Sequence, residues 1–159
     1  MLIYRARFHL LLHSAHLIEA QLEARLEVLG VRPRQARVID ALGRMGEASQ
    51  IDLARQFGVT PASMSTMTAR LISAGLVSKE PSPLEARSNV LRLTWKGQDL
   101  LAEIYRAWRD IDDLIEEKLG SEKSRALADL TQELRDTLGG RAPGAHAPQR
   151  ASHTFEDKT

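Results

Sequence analysis

The stretch from Ile51 to Thr94 restricts the possible folds more than any other part of this chain, because its periodicity changes from helical to extended. Its first half predicts two helices joined by a tight turn. Gly58 stands where the chain must turn, and glycine adopts a positive φ at little cost. Thr60 is then a good N-cap, and Pro61 suits the first helical position, where its missing N–H has no intrahelical partner. Two helices joined in this way form a helix-turn-helix.

The second helix of this motif has two distinct faces. Met64, Met67 and Leu71 recur at helical spacing and predict an inward apolar stripe. Small or hydrogen-bonding side chains lie off that stripe, namely Ser63, Ser65, Thr66 and Arg70. Such residues near the start of a second helix are what a reader of the major groove requires. We therefore predict that this face binds DNA.

The second half of the stretch predicts a β-hairpin. Leu76–Glu80 is a short strand candidate, and residues 89–94 alternate as a second strand. The segment from Pro81 to Arg87 is too rich in proline to continue a strand. A hairpin after a helix-turn-helix predicts a winged helix, so the expected fold is mainly α with a small β-hairpin wing.

The predicted wing adds Lys79, Arg87 and Ser88 to the candidate DNA-binding residues. Arg87 is close to the tip of the loop, and narrow minor grooves attract a guanidinium. A structural ion pair between Arg87 and Glu85 or the base of the hairpin is the alternative, and the two roles are compatible.

Three short motifs in this region resemble those of the MarR family of bacterial transcription regulators: AGLV at 74–77, ExR at 85–87 and LxLTxKG at 91–97. The flanking helices extend the resemblance to about residues 1–138. It implies a homodimeric repressor that binds a pseudo-palindromic operator in double-stranded DNA and is released by a small ligand. In this family the ligand is often an aromatic acid or a phenolic compound, bound between the dimer lobe and the DNA lobe.

The candidate residues for such an effector pocket are His13, His16, Arg37 and Trp108. Each has a simpler interpretation. A basic residue such as Arg37 is more often part of a solvated face, and a tryptophan is more often buried in a core or an interface. His13 and His16 share a helix face with His9, for which we weigh a polar surface, a pocket wall and a metal site, in that order.

The remaining helices predict a second lobe. A helix from about Ile3 to Leu29 carries a long leucine-rich stripe, formed by Leu11, Ala15, Ile18, Leu22, Leu26 and Leu29. Another long helix is predicted from about Trp95 to Leu119. Ser121 is predicted to cap a last helix, whose stripe consists of Leu127, Leu130, Leu134 and Leu138. We predict a helical dimerisation lobe from residues 1–30 and 98–138, a winged helix-turn-helix lobe from 31–97, and a disordered tail from 139–159.

Charge and composition bound the function. Residues 49–97 contain six Lys or Arg and three acidic residues, whereas residues 98–119 contain three Lys or Arg and seven acidic residues. A basic module therefore adjoins an acidic helix. The chain has no cysteine, which excludes disulfides and thiol-based redox sensing.

We find no catalytic motif, cofactor or metal motif, or membrane-spanning segment, and expect a cytoplasmic protein that is not an enzyme. The alternative to a DNA-binding regulator is a winged-helix module for protein contacts, or a helical scaffold without an effector.

Overall fold

A computed structural model of the chain describes residues 6–82 and 89–141. This part forms six helices and one antiparallel hairpin, which confirms the predicted fold class. The elements are α1 Phe8–Val28, α2 Pro33–Met45, α3 Gln50–Phe57, α4 Pro61–Ser73, β1 Val77–Pro81, β2 Asn89–Leu93, α5 Trp95–Leu119 and α6 Ser121–Thr137. None of these helices is long and apolar enough to cross a membrane.

Local capping signals determine where most helices begin. The hydroxyl oxygen of Ser49 accepts from the Asp52 N–H at 3.1 Å, and that of Thr60 accepts from the Ser63 N–H at 3.1 Å. Thr94 does the same for the Gly97 N–H at 3.1 Å. Each bond satisfies a backbone donor that has no partner inside its helix. The contacts of Thr60 and Thr94 confirm the predicted starts of α4 and α5.

The turn between α3 and α4 is as tight as predicted. Gly58 adopts the left-handed conformation, with φ of 61°, and its N–H bonds back to the last turn of α3. Any side chain at this position would be strained, since a Cβ disfavours positive φ. The turn brings α3 and α4 into direct packing contact.

Several predicted boundaries were wrong; β1 begins at Val77 and not Leu76, and β2 ends at Leu93 and not Thr94. The first helix begins at Phe8, not Ile3; Ala6 and Arg7 precede it, and residues 1–5 lie outside the described part. Ser121 is the first residue of α6 and not its cap, because Gly120, with φ of 81°, occupies the cap position. Pro81 was predicted to lie beyond the first strand, but it is the last residue of β1 and pairs with Asn89. Proline lacks a backbone N–H, and an edge strand tolerates this absence.

The core lies in the winged helix and continues along the adjacent ends of α1 and α5. Its largest fully buried side chains are Leu26, Val38, Ile39, Leu42, Leu53, Met64, Thr68, Leu71, Val77, Leu91 and Ile104. Helix α6 contributes no buried residue. The leucine stripe of α1 is buried at Leu26, near its end, while Leu11 remains 41% exposed. A single chain therefore leaves the apolar faces of α1 and α6 uncovered.

Candidate nucleic-acid interface

Helix α4 presents its predicted polar face to solvent. Ser63, Ser65, Thr66 and Arg70 are all exposed, whereas Met64 and Leu71 are buried on the opposite side. The exposed face forms a shallow open depression lined by Ser65, Thr66, Ala69, Arg70, Ser73 and Ala74. Its small side chains allow another surface to approach the helix closely.

The hydroxyl groups on this face differ in their hydrogen bonding. The Ser63 hydroxyl oxygen accepts from the Thr60 hydroxyl at 3.0 Å, and the Thr66 hydroxyl donates to the Ala62 carbonyl oxygen at 3.1 Å. Within the described part of the chain, the side chains of Ser65 and Arg70 have no hydrogen-bond or ion-pair partner. Both are available to bond with a ligand.

Thr68 holds α4 in position, a role that was not predicted from the sequence. Its side chain is fully buried, and its hydroxyl donates to the Met64 carbonyl oxygen at 2.9 Å. The Gln50 side-chain N–H donates to the same hydroxyl at 2.7 Å, which joins α3 to α4. The signal for its burial was its place four residues after Met64 and three before Leu71, on the apolar stripe.

The base of the hairpin is held by an ion-pair cluster. The Arg92 guanidinium bonds to the Glu47 carboxylate, in the segment between α2 and α3, and its Nε lies 3.9 Å from Glu80 Oε2 on β1. The backbone of Ala48 pairs with Leu91, with N···O distances of 2.8 and 3.2 Å. These contacts therefore fasten β2 to the segment between α2 and α3 and join β1 to β2.

Ion pairs within the protein involve some of the positively charged side chains counted in residues 49–97, and these are less available to DNA. Arg92 is committed to Glu47, and Arg55 lies 3.3 Å from Asp52. Arg70 and the exposed Lys79 have no such partner among the described residues. Arg87, Ser88 and Glu85 lie outside the described residues, so both interpretations of Arg87 stay predictions.

The candidate effector residues occupy three helices. His13 and His16 are exposed on α1, and the Arg37 guanidinium on α2 lies 5.6 Å from the centre of the Phe57 ring. Trp108 on α5 is half-buried. No hydrogen bond or ring contact joins any two of these four side chains in the described structure. Among the described residues, no group of three or more His, Asp or Glu side chains is arranged to hold a metal ion. The four remain candidates.

A buried carboxylate that bonds to Tyr105 was not predicted. Asp40 on α2 is 7% exposed, accepts from the Tyr105 hydroxyl at 2.9 Å, and lies 2.5 Å from the Arg44 guanidinium. The Tyr105 and Trp108 rings are 5.7 Å apart. Burial and the bond to Asp40 raise the pKa of the Tyr105 phenol above its ordinary value of 10.0, because both disfavour the phenolate. This bond connects the winged helix to the long helix α5.

The raised pKa of Tyr105 predicts a loss of stability in alkali. The protonated Tyr105 hydroxyl contributes to the free energy of unfolding. This contribution is complete below pH 10 and disappears as pH rises through the raised pKa of the folded state. In a Tyr4→Phe variant, the absorbance titration of Tyr105 should have its midpoint above 10.0. Tyr105→Phe should lower the free energy of unfolding at pH 7 by about 1 kcal/mol and abolish this part of the alkaline loss. A midpoint at or below the ordinary value would contradict the assignment.

Known proteins match both the sequence and this architecture. The sequence profile of the MarR family matches residues 29–88. The HTH-type transcriptional regulator FarR of Neisseria gonorrhoeae is 32% identical over 124 residues, which cover 78% of this chain and 85% of FarR.

Solved structures share the fold. The reduced form of MarR from E. coli has a TM-score of 0.74 at 18% identity, covering 84% of this chain and 98% of that one. A mutant MarR from E. coli complexed with operator DNA has a TM-score of 0.70 at 19% identity, covering 79% and 91%. The transcriptional regulator PA4135 has a TM-score of 0.69 at 28% identity, covering 84% and 98%. The likeness to FarR over most of both chains, together with the profile match, shows that this chain belongs to the MarR family of transcription regulators.

Proposed function

We propose that the protein is a homodimeric repressor that binds a pseudo-palindromic operator in double-stranded DNA and is released by a small aromatic or phenolic ligand. The observation that carries the DNA-binding part is the exposed face of α4, where Ser65 and Arg70 have unused hydrogen-bonding groups among small neighbours. The core of a protein-binding face is usually enriched in aromatic and large apolar side chains, and none of the residues that line this depression is of that kind. The operator complex of the structurally similar E. coli MarR supports the same proposal.

The dimer is supported by the uncovered apolar faces. Nine large apolar side chains at the two ends of a single chain are each at least 38% exposed. They are Phe8, Leu10, Leu11, Leu12 and Leu17 on α1, and Leu127, Leu130, Leu134 and Leu138 on the last helical segment. Such exposure over two helices is unusual for a monomer. We place the dimerisation lobe in residues 1–30 and 98–138 and the DNA-binding lobe in 31–97, with the tail from 139 outside both.

The test of DNA binding begins with duplexes selected from a random pool by the full-length protein. A two-fold dimer should protect two half-sites whose centres are about one helical turn, roughly 10 bp, apart. Binding should weaken steeply with salt because phosphate contacts release counterions. Protection of one half-site, or affinity that is independent of salt, would overturn the two-headed arrangement. Repression is tested by placing the selected site in a reporter promoter, where the protein should lower transcription.

The ligand part of the proposal rests on chemistry near α2 and α5. Arg37 provides a cation that suits a carboxylate, and Trp108 provides a half-exposed aromatic plane. Titrating substituted benzoic acids and phenols into the operator complex should release DNA for at least one compound. Arg37→Gln and Trp108→Leu should raise the concentration that this release requires, while Lys123→Gln, on α6 and outside the four candidates, should not. If no compound releases DNA, this part of the proposal is wrong.

The α4 face and the wing should respond differently to mutation. Ser65→Ala should relax sequence preference at one or two base pairs, costing about 1–3 kcal/mol of discrimination, because a base contact is lost. Arg87→Ala should weaken binding to all sequences and reduce the salt slope by about one charge per subunit. Affinities for a panel of site variants at two salt concentrations separate these effects.

The control for this pair is Lys123→Ala, which removes one exposed positive charge from α6, away from α4 and the hairpin. It should change neither preference nor salt slope. If Arg87→Ala altered preference at a single major-groove position and left the salt slope intact, the wing assignment would fail. If it lowered the melting temperature without DNA, the structural ion pair to Glu85 would be the better interpretation.

A further inference from the structure

We propose that Thr66 recognises a thymine in each half-site through its methyl group and not through its hydroxyl. The inference rests on the proposed DNA-binding function and adds to it the base and the atom that are read. It starts from the bond by which the Thr66 hydroxyl donates to the Ala62 carbonyl oxygen, one turn earlier in α4.

This bond fixes which branch of the side chain is presented to a ligand. The hydroxyl and the methyl of threonine are the two heavy branches on Cβ, and a hydroxyl bonded to the i−4 carbonyl is turned back along the helix. Thr66 as a whole is exposed, so the methyl is the branch available at the surface. The donor hydrogen of the hydroxyl is already used by the protein.

The surroundings of Thr66 suit an apolar contact. Ala62 and Ala69 lie four residues before and three residues after Thr66, on the same side of the helix, and both are exposed. Ser65 and Arg70, whose polar groups are unpaired in the described structure, flank this apolar surface. Hydrogen-bonding readout therefore falls to Ser65 and Arg70, and Thr66 contributes a methyl surface between them.

The base that matches a methyl surface is thymine. In the major groove thymine differs from the other bases by its C5-methyl group, and a threonine methyl is one of the side-chain groups that contact it. Burying one carbon of this kind corresponds to about a fourfold change in affinity per half-site. Uracil has the same pairing edge as thymine and lacks this methyl, so it tests the contact directly.

The experiment uses the full-length protein and the tightest duplex selected from a random pool. Each thymine of the site is replaced in turn, symmetrically in both half-sites, by uracil. One replacement should weaken wild-type binding by about fourfold per half-site. Thr66→Val keeps a methyl at the surface and removes the hydroxyl, so it should retain this loss. Thr66→Ser keeps the hydroxyl and removes the methyl, so it should bind the thymine and uracil duplexes equally.

Each protein is compared with itself on two duplexes, so a general weakening caused by a variant cancels from the ratio. Lys123→Ala, on α6 and outside the candidate DNA-binding residues, is the control and should remain sensitive to uracil. The proposal is overturned if wild type is insensitive to every replacement, or if sensitivity is kept by Thr66→Ser and lost by Thr66→Val. If wild type selects no duplex at all, the DNA-binding function itself fails, which is a different result from binding without a uracil effect.

Discussion

Leu130→Asp should convert the protein into a monomer and weaken operator binding by a factor of about 10³, because two linked half-sites bind more tightly than one by roughly 10²–10⁴. Leu130 is 64% exposed in the single chain, so its replacement leaves the fold of one subunit intact. In a dimer, the same change would bury a charge in an apolar contact between subunits, which is costly. Sedimentation equilibrium gives the mass, and gel-shift titration with the selected duplex gives the affinity.

The matched control for Leu130→Asp is Gln132→Asp, which adds the same charge two residues away on a different face of α6. It should remain dimeric and bind DNA normally. Deleting residues 1–20 tests the other end of the chain and should also abolish dimerisation, leaving apolar surface exposed. A wild-type protein that sediments as a monomer, or a dimer that survives both changes, would show that the two ends do not form the interface.

Gly97→Ala should lower the free energy of unfolding by about 2–3 kcal/mol, the usual cost of overpacking a core. Gly97 is buried in the first turn of α5, and an added Cβ would overlap the Leu76 carbonyl oxygen and come within 3.1 Å of its carbonyl carbon. The same carbonyl oxygen accepts from the Thr94 N–H at 3.1 Å, and the Thr94 hydroxyl donates to the Gly75 carbonyl oxygen at 2.7 Å. The start of α5 cannot move away without breaking these bonds.

The sign of this effect distinguishes the close approach from intrinsic helix preference. Helix propensity alone would make Gly97→Ala stabilising by about 1 kcal/mol. The contact with Leu76 predicts instead a fall in Tm of roughly 5–10 °C, which thermal unfolding followed by circular dichroism would detect. Gln98→Ala, at the exposed neighbouring position, should be nearly neutral. A stabilised Gly97→Ala protein would mean that α5 does not pack against Leu76 as described.

Features of the fold that depend on neighbouring residues were predictable from the sequence. Thr60 and Thr94 cap their helices because a hydroxyl reaches an N–H three residues later, whatever surrounds it. Gly58 turns the chain because it lacks a Cβ. The same local logic failed at Ser121, where Gly120 with its positive φ already ends α5 and leaves no extended residue for a serine cap.

The tertiary structure decided which side chains are joined across long separations. Gln50 and Thr68 are 18 positions apart, Glu47 and Arg92 are 45 apart, and Asp40 and Tyr105 are 65 apart. Periodicity places each residue on a face of its own helix or strand, but it carries no information about the partner opposite. Spacing alone therefore determined the helix-turn-helix, the hairpin and the exposed face of α4. Packing determined that Thr68 bonds to Gln50, that Arg92 is held at the base of the hairpin, and that Asp40 connects to α5, because those outcomes depend on how the elements meet in space.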